Sequence, residues 1–338
     1  MNRRRVVITG LGCVTALAYS VDELFVALCE GKSGVSTIES FDASMFAARF
    51  GGEIKDFDPT KYIEPRETKR MDRFAQFAMV SAIQAVNDSG LDFSKEDPFR
   101  VGVIIGTGIG GIKEIEEQHI VLLKRGTRKV SPFCVPKLMG NAASGNIAIR
   151  YGLKGPNISV SSACASGSHA IGEAFSNIVA GRSDIMITGG SEAALTPLGL
   201  ASFCAARSLS TRNDNPAAAS RPFDRDRDGF VLSEGAGVCI LEEYEHAKKR
   251  GAKIYAELLG YSATDDGHHI TAPLPDGQGA AKTMELALMD AGVNKEEIDY
   301  INAHGTSTEL NDIAESLAIK SVFGEYAYKI PVSSTKSS

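Results

Sequence analysis

The chain has 338 residues, of which 43% are hydrophobic and 23% are charged, a balance typical of globular proteins large enough for two subdomains or one large α/β unit. Its net charge of −6 argues against a nucleic-acid binder that relies on overall positive charge. The sequence contains no run of about 18 apolar residues, so we expect no transmembrane helix.

The six cysteines are dispersed along the chain without a Cys-x-x-Cys pair, and the six histidines are equally scattered. This spacing favours reduced thiols over a disulfide framework or a zinc site. We therefore expect a cytoplasmic protein that holds no metal.

Strands and helices alternate along most of the sequence. Apolar runs bounded by glycine predict buried strands, and apolar residues at a spacing of about 3.6 predict helices. In chain order we predict a strand at 6–10, helices at 21–28 and 69–89, a strand at 101–106, a strand and helix around Cys164, a strand at 184–188, a loop at 196–228, a strand at 237–241, a helix or turn at 242–249, a strand at 254–259, a helix at 279–291, a strand at 298–302 and a helix at 312–322. This order predicts a layered α/β architecture.

The strand predicted at 101–106 runs into Gly-Thr-Gly-Ile-Gly-Gly at 106–111, which matches the G-x-G-x-x-G pattern. A dinucleotide site would also need an acidic residue closing a second strand about 20 positions later. The sequence there reads Thr-Arg-Lys-Val-Ser-Pro after a helical stretch. We interpret the glycines as residues of a loop that allows close backbone packing.

Cys164 lies where a predicted strand is followed by a helix. Ile158 and Val160 alternate with serines as in a strand, and helical spacing begins after Ser166. A helix N-terminus favours thiolate over thiol, and small neighbouring residues leave the backbone open to a substrate carbonyl. Cys164 is therefore a candidate nucleophile, and the alternative is a buried structural cysteine.

Residues 329–338 repeat the pattern of residues 157–166, and the alignment places Lys336 over Cys164. We interpret this internal repeat as two copies of one α/β unit whose reactive elements face one pocket. The first half, 1–250, carries the nucleophile. The second half, 251–338, carries His304 and Lys336 and is incomplete by comparison with the first.

His304 lies in the stretch Asn-Ala-His-Gly-Thr-Ser-Thr at 302–308, at the end of a predicted strand. A neutral imidazole can donate a hydrogen bond to a developing enolate, and a lysine ammonium can stabilise negative charge. Thr306 and Thr308 are two residues apart, so in an extended loop their hydroxyls lie on one side and can hold an amide-bearing substrate arm. The alternative for His304 alone is an ordinary surface histidine.

Several motifs closely resemble those of the elongating 3-oxoacyl-[acyl carrier protein] synthases. They are Ser-Ala-Cys-Ala-Ser-Gly at 162–167, the His304 stretch at 302–308, Ser-Ser-Thr-Lys-Ser at 333–337, and the arginine-rich loop at 210–230, which is similar to that of the type II enzymes of fatty acid synthesis. The resemblance extends from residue 3 to the last residue. It implies a thiolase-like fold in a layered α-β-α-β-α arrangement, a homodimer, and no metal or organic cofactor.

The resemblance also implies a reaction in two stages. Cys164 first accepts an acyl chain from acyl carrier protein; malonyl-loaded carrier protein then loses CO2, and its enolate attacks the thioester to give a 3-oxoacyl chain. His304 would assist decarboxylation, and Lys336 would be the active-site lysine of its motif.

Further roles are implied in the same way. Asp312 and Glu315 would be acidic partners of Lys336, Thr306 and Thr308 would bind the pantetheine arm, and Ile109 and Cys134 would lie near the end of the acyl pocket at the dimer interface. A basic group would dock the acidic carrier protein: Arg66, Lys69, Arg70, Arg128, Lys129 and Arg207. For each of these charges taken alone, the alternative is a solvated surface residue.

Two departures from the family pattern qualify these expectations. Ala165 stands where the type II enzymes often have Thr. Family members also continue past the Lys336 motif to a second histidine and a Gly-Phe-Gly-Gly loop, so we expect this chain as written to have little condensing activity. The alternatives are a polyketide ketosynthase, a thiolase acting on coenzyme A thioesters, and a non-catalytic partner that only binds the carrier protein.

Overall fold

The structure is a computed structural model and describes residues 3–338. Its strands are β1 (Val6–Val14), β2 (Ser36–Thr37), β3 (Phe50–Gly51), β4 (Val101–Gly106), β5 (Asn157–Val160), β6 (Ile185–Glu192), β7 (Gly235–Glu243), β8 (Ala256–Leu258), β9 (Ile301–Asn302) and β10 (Val332–Ser333). Its helices are α1 (Val21–Cys29), α2 (Pro65–Thr68), α3 (Arg73–Ser89), α4 (Ile112–Arg125), α5 (Cys134–Leu138), α6 (Ala142–Tyr151), α7 (Ser166–Val179), α8 (Pro197–Ala205), α9 (Tyr244–Lys249), α10 (Gln278–Ala291) and α11 (Glu309–Phe323).

The chain divides into two compact units, each assembled from three separate stretches. Unit 1 comprises the described residues up to Val26, Ile54–Gly199 and Ser233–Leu258, and unit 2 comprises Ala27–Glu53, Leu200–Leu232 and Leu259–Ser338. The halves predicted at 1–250 and 251–338 follow the order of the sequence, whereas these units do not. The arginine-rich loop belongs to unit 2 because its residues bond to the C-terminal stretch.

A six-stranded mixed sheet with the order β5-β4-β6-β7-β1-β8 forms the centre of unit 1. β4 pairs in parallel with β5 and β6, while β7 is antiparallel to both β6 and β1, and β8 is antiparallel to β1. Parallel pairing brings the carboxyl ends of β4, β5 and β6 to one edge of the sheet. The residues that follow these three ends include Cys164.

Helix α3 packs against β1 and supplies much of the core of unit 1. Phe74, Phe77 and Val80 are almost completely buried there, and each apolar side chain of this size stabilises the fold by roughly 1.5–3 kcal/mol. A Cβ at Gly10 would lie 2.1 Å from the carbonyl oxygen of Ala85. Glycine in β1 therefore lets the strand and helix backbones approach each other.

Helix α3 begins at Arg73, later than the predicted start at residue 69. Asp72 sets this start, because its carboxylate accepts the N–H of Phe74 at 3.3 Å and so caps the helix. The C-terminal end is confirmed: Gly90 follows the helix with a φ of 64°.

Unit 2 contains the parallel pair β9–β10 and the helices α10 and α11. The facing sides of these elements form a buried apolar cluster of Ala281, Ala318, Ile319, Val322, Phe323 and Ile330. A smaller cluster of Val35, Phe50 and Ala219 lies beside the antiparallel pair β2–β3. The first cluster supports the loop that carries His304.

The predicted repeat is visible in the local structure. β4–β5 and β9–β10 are both parallel pairs, and a 3-10 turn follows the second strand of each, Ala163–Ala165 after β5 and Thr335–Ser337 after β10. Cys164 and Lys336 occupy the middle positions of these turns. The alignment of the two residues is therefore confirmed at the level of secondary structure.

Each predicted strand and helix is present, most with shifted ends, and the structure adds elements that were not predicted, among them β2, β3, α5 and α6. β6 continues to Glu192 and β1 to Val14, because β7 pairs with both along their whole length. The loop predicted at 196–228 is wrong at its start, where α8 forms. Within residues 3–338, no helix combines the length and apolar character needed to cross a bilayer.

Candidate active site

The turn that carries Cys164 joins β5 to α7 in unit 1. Ala163 has a φ of +51°, a left-handed conformation that is uncommon for a residue with a side chain. Cys164 follows it in the 3-10 turn and is exposed to solvent. The alternative of a buried structural cysteine is therefore wrong.

Helix α7 lies unusually close to the sheet at its N-terminus. A Cβ at Gly106 would lie 2.1 Å from the carbonyl oxygen of Ser166, and one at Gly190 would lie 3.0 Å from Cα of Gly167. Only glycine permits this approach on the strand side. The glycines at the ends of β4 and β6 therefore fix the position of the turn that presents Cys164.

Side chains flanking Cys164 hold the turn together. Oγ of the buried Ser166 accepts the N–H of Ser162 at 2.9 Å and donates to the carbonyl oxygen of Ala163 at 2.7 Å. Oγ of Ser162 also lies 2.7 Å from Nδ1 of His169, one turn into α7. Sequence reasoning assigned no role to Ser162 or His169, and their spacing around a candidate nucleophile was the available signal.

The glycine-rich loop after β4 serves backbone packing, as predicted. Cβ atoms at Gly110 and Gly111 would lie 2.9 Å and 2.6 Å from backbone atoms of Leu138. The carboxylate of Glu192 accepts the N–H groups of Gly108 and Ile109. These N–H groups are thus used within the protein, and sequence reasoning missed Glu192 because it lies 84 residues from Gly108.

Ile109 and Cys134, the predicted acyl-pocket residues, both belong to unit 1. Ile109 is 42% exposed in the loop after β4, and Cys134 is partly buried at the first position of α5. The N–H of Gly111 donates to the carbonyl oxygen of Leu138 at 3.1 Å. This bond ties the loop of Ile109 to the helix of Cys134.

In unit 2 the structure brings the His304 loop and the Lys336 turn together. Oδ1 of Asn302 accepts the N–H of Thr335 at 3.3 Å, and Oγ of Ser334 donates to the carbonyl oxygen of His304 at 3.1 Å. These bonds continue the parallel pairing of β9 with β10. The two predicted catalytic residues of this unit therefore lie on adjacent, hydrogen-bonded segments.

The imidazole of His304 is neutral at physiological pH. Its pKa is lowered to about 4, chiefly because surrounding protein removes water from the ring and secondarily because the Lys336 ammonium repels a second positive charge. Asp312 opposes this shift. Part of the His304 surface nevertheless remains exposed to solvent.

The carboxylates of Asp312 and Glu315 bond to groups other than Lys336. Glu315 accepts the N–H groups of His304 and Gly305 at 2.7 and 2.8 Å, and Asp312 accepts the N–H of Phe223 at 2.8 Å. In the described residues 3–338, no ion pair joins either carboxylate to Lys336. Backbone donors occupy Glu315, while a backbone donor and an arginine occupy Asp312. The partnership with Lys336 implied by the resemblance stays a prediction.

That arginine is Arg227, which sequence reasoning missed. Its guanidinium donates to the carbonyl oxygens of Thr308 at 3.0 Å and Glu309 at 2.7 Å, and Nε lies 3.4 Å from the buried carboxylate of Asp312. Arg227 therefore anchors the loop after His304 to the start of α11. Its place in an arginine-rich loop was the only sequence signal.

Thr306 and Thr308 lie on one side of their loop, as predicted. Their hydroxyl oxygens are 2.9 Å apart, and the intervening Ser307 is buried with a φ of 67°. Oγ of Ser307 accepts the N–H of Arg221 at 3.0 Å. The loop thus directs Ser307 inward and leaves both threonine residues half-buried.

The six predicted docking residues are all exposed. Those in unit 1 come from two segments, the turn around α2 (Arg66, Lys69 and Arg70) and the turn before α5 (Arg128 and Lys129), while Arg207 belongs to unit 2. The guanidinium of Arg70 lies 5.1 Å from the ring centre of Phe133, which directly precedes α5. This contact brings the two unit 1 segments together as one basic patch.

No group of three or more His, Cys, Asp or Glu side chains in the described chain is arranged to hold a metal ion. The six cysteines are all free thiols. The predicted catalytic groups are the thiol of Cys164 in unit 1, and the neutral imidazole of His304 and the ammonium of Lys336 in unit 2.

Comparison with known families decides the relationship. Residues 3–247 match the family described as beta-ketoacyl synthase, N-terminal domain, and residues 255–338 match its C-terminal domain. The chain belongs to the beta-ketoacyl synthase family. The fold is accordingly the thiolase-like α/β fold of ketosynthases, as the motifs predicted.

Curated relatives in this family share about half of the sequence. The chain is 52% identical over 337 residues to 3-oxoacyl-[acyl-carrier-protein] synthase 2 of Synechocystis sp., covering 100% of this chain and 81% of the relative. It is 51% identical over 338 residues to the protein of the same name in Vibrio harveyi, with the same two coverages. It is 46% identical over 336 residues to that of Staphylococcus aureus strain COL, covering 99% and 81%.

Solved ketosynthases of this family have the same fold. A ketosynthase in complex with a type II PKS acyl carrier protein is 39% identical with a TM-score of 0.91, covering 99% of this chain and 82% of the other. The ishigamide ketosynthase/chain length factor is 35% identical with a TM-score of 0.91, covering 99% and 81%. The curated relatives are thus nearer in sequence than these two structures.

Proposed function

We propose that this beta-ketoacyl synthase is an elongating 3-oxoacyl-[acyl-carrier-protein] synthase of type II fatty acid biosynthesis. The observation that carries the proposal is the exposed thiol of Cys164, held by a left-handed Ala163 at the point where a strand gives way to a 14-residue helix. The roughly half-identical relatives that bear this name support the same activity.

The first step is transfer of an acyl chain to Cys164. The thiolate attacks the carbonyl carbon of an acyl-carrier-protein thioester, the new carbon–sulfur bond forms, and the carrier thiol leaves after taking a proton. The thiolate is the nucleophilic form of a cysteine side chain. The exposed position of Cys164 admits a substrate held on a large carrier.

The second step is decarboxylative condensation. Malonyl-carrier protein loses CO2, and the electron pair of the broken carbon–carbon bond forms an enolate that attacks the acyl-Cys164 thioester and expels the Cys164 thiolate. His304 is neutral and can donate a hydrogen bond to the enolate oxygen, while the Lys336 ammonium stabilises negative charge nearby. We propose that Cys164, His304 and Lys336 all act in this reaction and that Thr306 and Thr308 bind the pantetheine arm.

A homodimer is part of this proposal. β5 is an edge strand of the sheet, and Ile158 on it is 46% exposed. Leu123 on α4 and Val135 on α5 are also exposed, at 72% and 60%. An open strand edge beside exposed apolar side chains favours association with a second copy, which would enclose the acyl pocket near Ile109 and Cys134.

The acidic acyl carrier protein, loaded with acyl or malonyl groups, is the proposed partner. The basic patch in unit 1 offers five cations on a chain with a net charge of −6, which suits electrostatic steering of an acidic protein. The ketosynthase of similar fold was itself solved with an acyl carrier protein. The free cysteines suit the proposed cytoplasmic location.

The test is intact-mass measurement after incubation with an acyl-carrier-protein thioester. The proposal expects a mass increase equal to one acyl group in the unaltered protein and none in C164A. His304→Ala and Lys336→Met are expected to accept the acyl group and to release less CO2 from malonyl-carrier protein. Carrier binding without an adduct would support the alternative of a non-catalytic partner.

A polyketide ketosynthase remains the second candidate, since one of the solved relatives named above is the ketosynthase of a type II PKS acyl carrier protein. It performs the same condensation on a chain that keeps its oxo groups. Competition between saturated acyl and 3-oxoacyl thioesters for Cys164 separates the two functions. Preference for the saturated chain supports fatty acid synthesis, which the higher identity to the curated relatives favours.

A further inference from the structure

Glu192, at the end of β6, is bonded to three consecutive residues of the loop after β4. Its Oε2 accepts the N–H groups of Gly108 at 2.7 Å and Ile109 at 3.1 Å, and its Oε1 accepts the hydroxyl of Thr107 at 3.3 Å. Both carboxylate oxygens are therefore used on one short segment. The segment leaves the sheet at this point and has no neighbouring strand to accept these N–H groups.

The other side of this loop contacts the turn that carries the nucleophile. Oγ of Ser161 donates to the carbonyl oxygen of Gly108 at 3.3 Å. A Cβ at Gly108 would lie 3.1 Å from Oε2 of Glu192 and 3.6 Å from Cα of Ala163. Gly108 is thus enclosed between the carboxylate and the residue that precedes Cys164.

We propose that Glu192 is a positioning residue that fixes the Gly108–Ile109 backbone against the Cys164 turn, and thereby sets which chain lengths fit beside the sulfur. The inference deepens the proposed function and rests on it for the identity of the natural substrate. Glu192 touches neither the substrate nor the reacting atoms; it acts through the loop that carries Ile109.

The carboxylate form is the form that this arrangement needs, because an ionised carboxylate offers two acceptors and no donor. Glu192→Gln keeps the shape but removes the charge and replaces one acceptor with an NH2 group, which faces either the Thr107 hydroxyl or the N–H groups of Gly108 and Ile109. Burial raises the pKa of Glu192, so its charge is held at a cost in solvation. Removing that charge therefore need not destabilise the fold, which separates positioning from a merely structural role.

The experiment measures alkylation of Cys164 by N-ethylmaleimide and N-octylmaleimide, with the label on Cys164 read by peptide mass. The thiol adds across the maleimide double bond, so no carrier protein or second substrate is needed. We expect the ratio of octyl to ethyl rates to change about 10-fold in Glu192→Gln, with Glu192→Asp nearer the unaltered protein and the midpoint of thermal unfolding nearly unchanged.

Glu173→Gln is the matched control, since Glu173 is an exposed glutamate on α7. An unchanged ratio in Glu192→Gln, or the same change in the control, overturns the inference. If Glu192→Gln lowers both rates equally and unfolds at lower temperature, the residue is only structural and the inference also fails. Absence of an acyl adduct in the unaltered protein would instead refute the proposed function, while the maleimide ratio still decides the role of Glu192.

Discussion

Glu315 accepts the backbone N–H of His304 at 2.7 Å, and its second carboxylate oxygen accepts the N–H of Gly305 at 2.8 Å. One side chain on α11 therefore holds the peptide groups on both sides of the Cα atom of His304. Hydrogen bonds to a charged acceptor contribute about 1.5–3 kcal/mol each, so this contact is strong enough to define the position of the ring.

Glu315→Gln is expected to loosen this segment. Glutamine keeps one acceptor and loses the charge, so the amides of His304 and Gly305 should exchange with deuterium about 10-fold faster in hydrogen-exchange mass spectrometry. Acylation of Cys164 should continue. Glu325→Gln, at an exposed glutamate beyond α11, is the control. Equal exchange in both variants would mean that Glu315 does not hold the loop.

Two variants should move the pKa of His304 in opposite directions. Lys336→Met removes a repelling positive charge and should raise it from about 4, while Asp312→Asn removes a favourable negative charge and should lower it. NMR titration of the imidazole protons measures both shifts, and Lys282→Met on α10 should cause none. A rise in both variants would contradict the assigned causes.

The lowered pKa of His304 predicts how the stability of the protein depends on pH. His304 titrates near pH 4 when folded and near its ordinary value of 6.5 when unfolded, so the unfolded state takes up the proton first. This histidine should therefore lower the free energy of unfolding as the pH falls from about 6.5 to 4. Urea unfolding of His304→Gln should show a shallower loss across that window, and an unchanged slope would contradict the prediction.

Gly106→Ala should displace the Cys164 turn. The new methyl group would stand 2.1 Å from the carbonyl oxygen of Ser166, and such overpacking costs about 1–3 kcal/mol. Urea unfolding and the maleimide rate at Cys164 should both report the change. Gly237→Ala is the control, because a Cβ there meets no atom within 4 Å. Similar results for the two variants would refute the role given to Gly106.

Arg227→Met should be strongly destabilising, because it leaves the buried carboxylate of Asp312 without its cation and removes one donor each from the carbonyl oxygens of Thr308 and Glu309. Breaking a buried pair costs about 3–5 kcal/mol. Arg225→Met, two residues earlier at a side chain that is 92% exposed, should cost less than about 0.5 kcal/mol. The free energy of unfolding of each variant tests this prediction. The double variant Arg227→Met with Asp312→Asn should recover part of the stability lost in Arg227→Met.

Local patterns in the sequence predicted most of the architecture. Alternation and glycine boundaries identified β4 with its correct ends, and the repeat of serines identified equivalent turns at Cys164 and Lys336. These features succeed because strand periodicity and turn chemistry depend on residues close in sequence. Helix α8 was missed because its residues are apolar on every side and show no helical period.

The contacts that support the site were not predictable in the same way. Glu192 bonds to a loop 84 residues away, and Arg227 bonds to Thr308 across 81 residues. Such pairs leave no periodic pattern in the sequence, because each depends on how segments distant in sequence come together in the fold. The family resemblance likewise suggested Lys336 as the partner of Asp312 and Glu315, whereas local donors decide where those carboxylates point.

The assembly of unit 2 from three stretches has a consequence for biosynthesis. Arg227 leaves the ribosome about 85 residues before Asp312, which at typical elongation rates is a delay of roughly 4–17 seconds. During that interval the arginine-rich loop has been translated but its counter-ion has not. Nascent chains stalled between these two residues should be cut by trypsin within this loop. Nascent chains long enough for α11 to have left the ribosome should not be cut there.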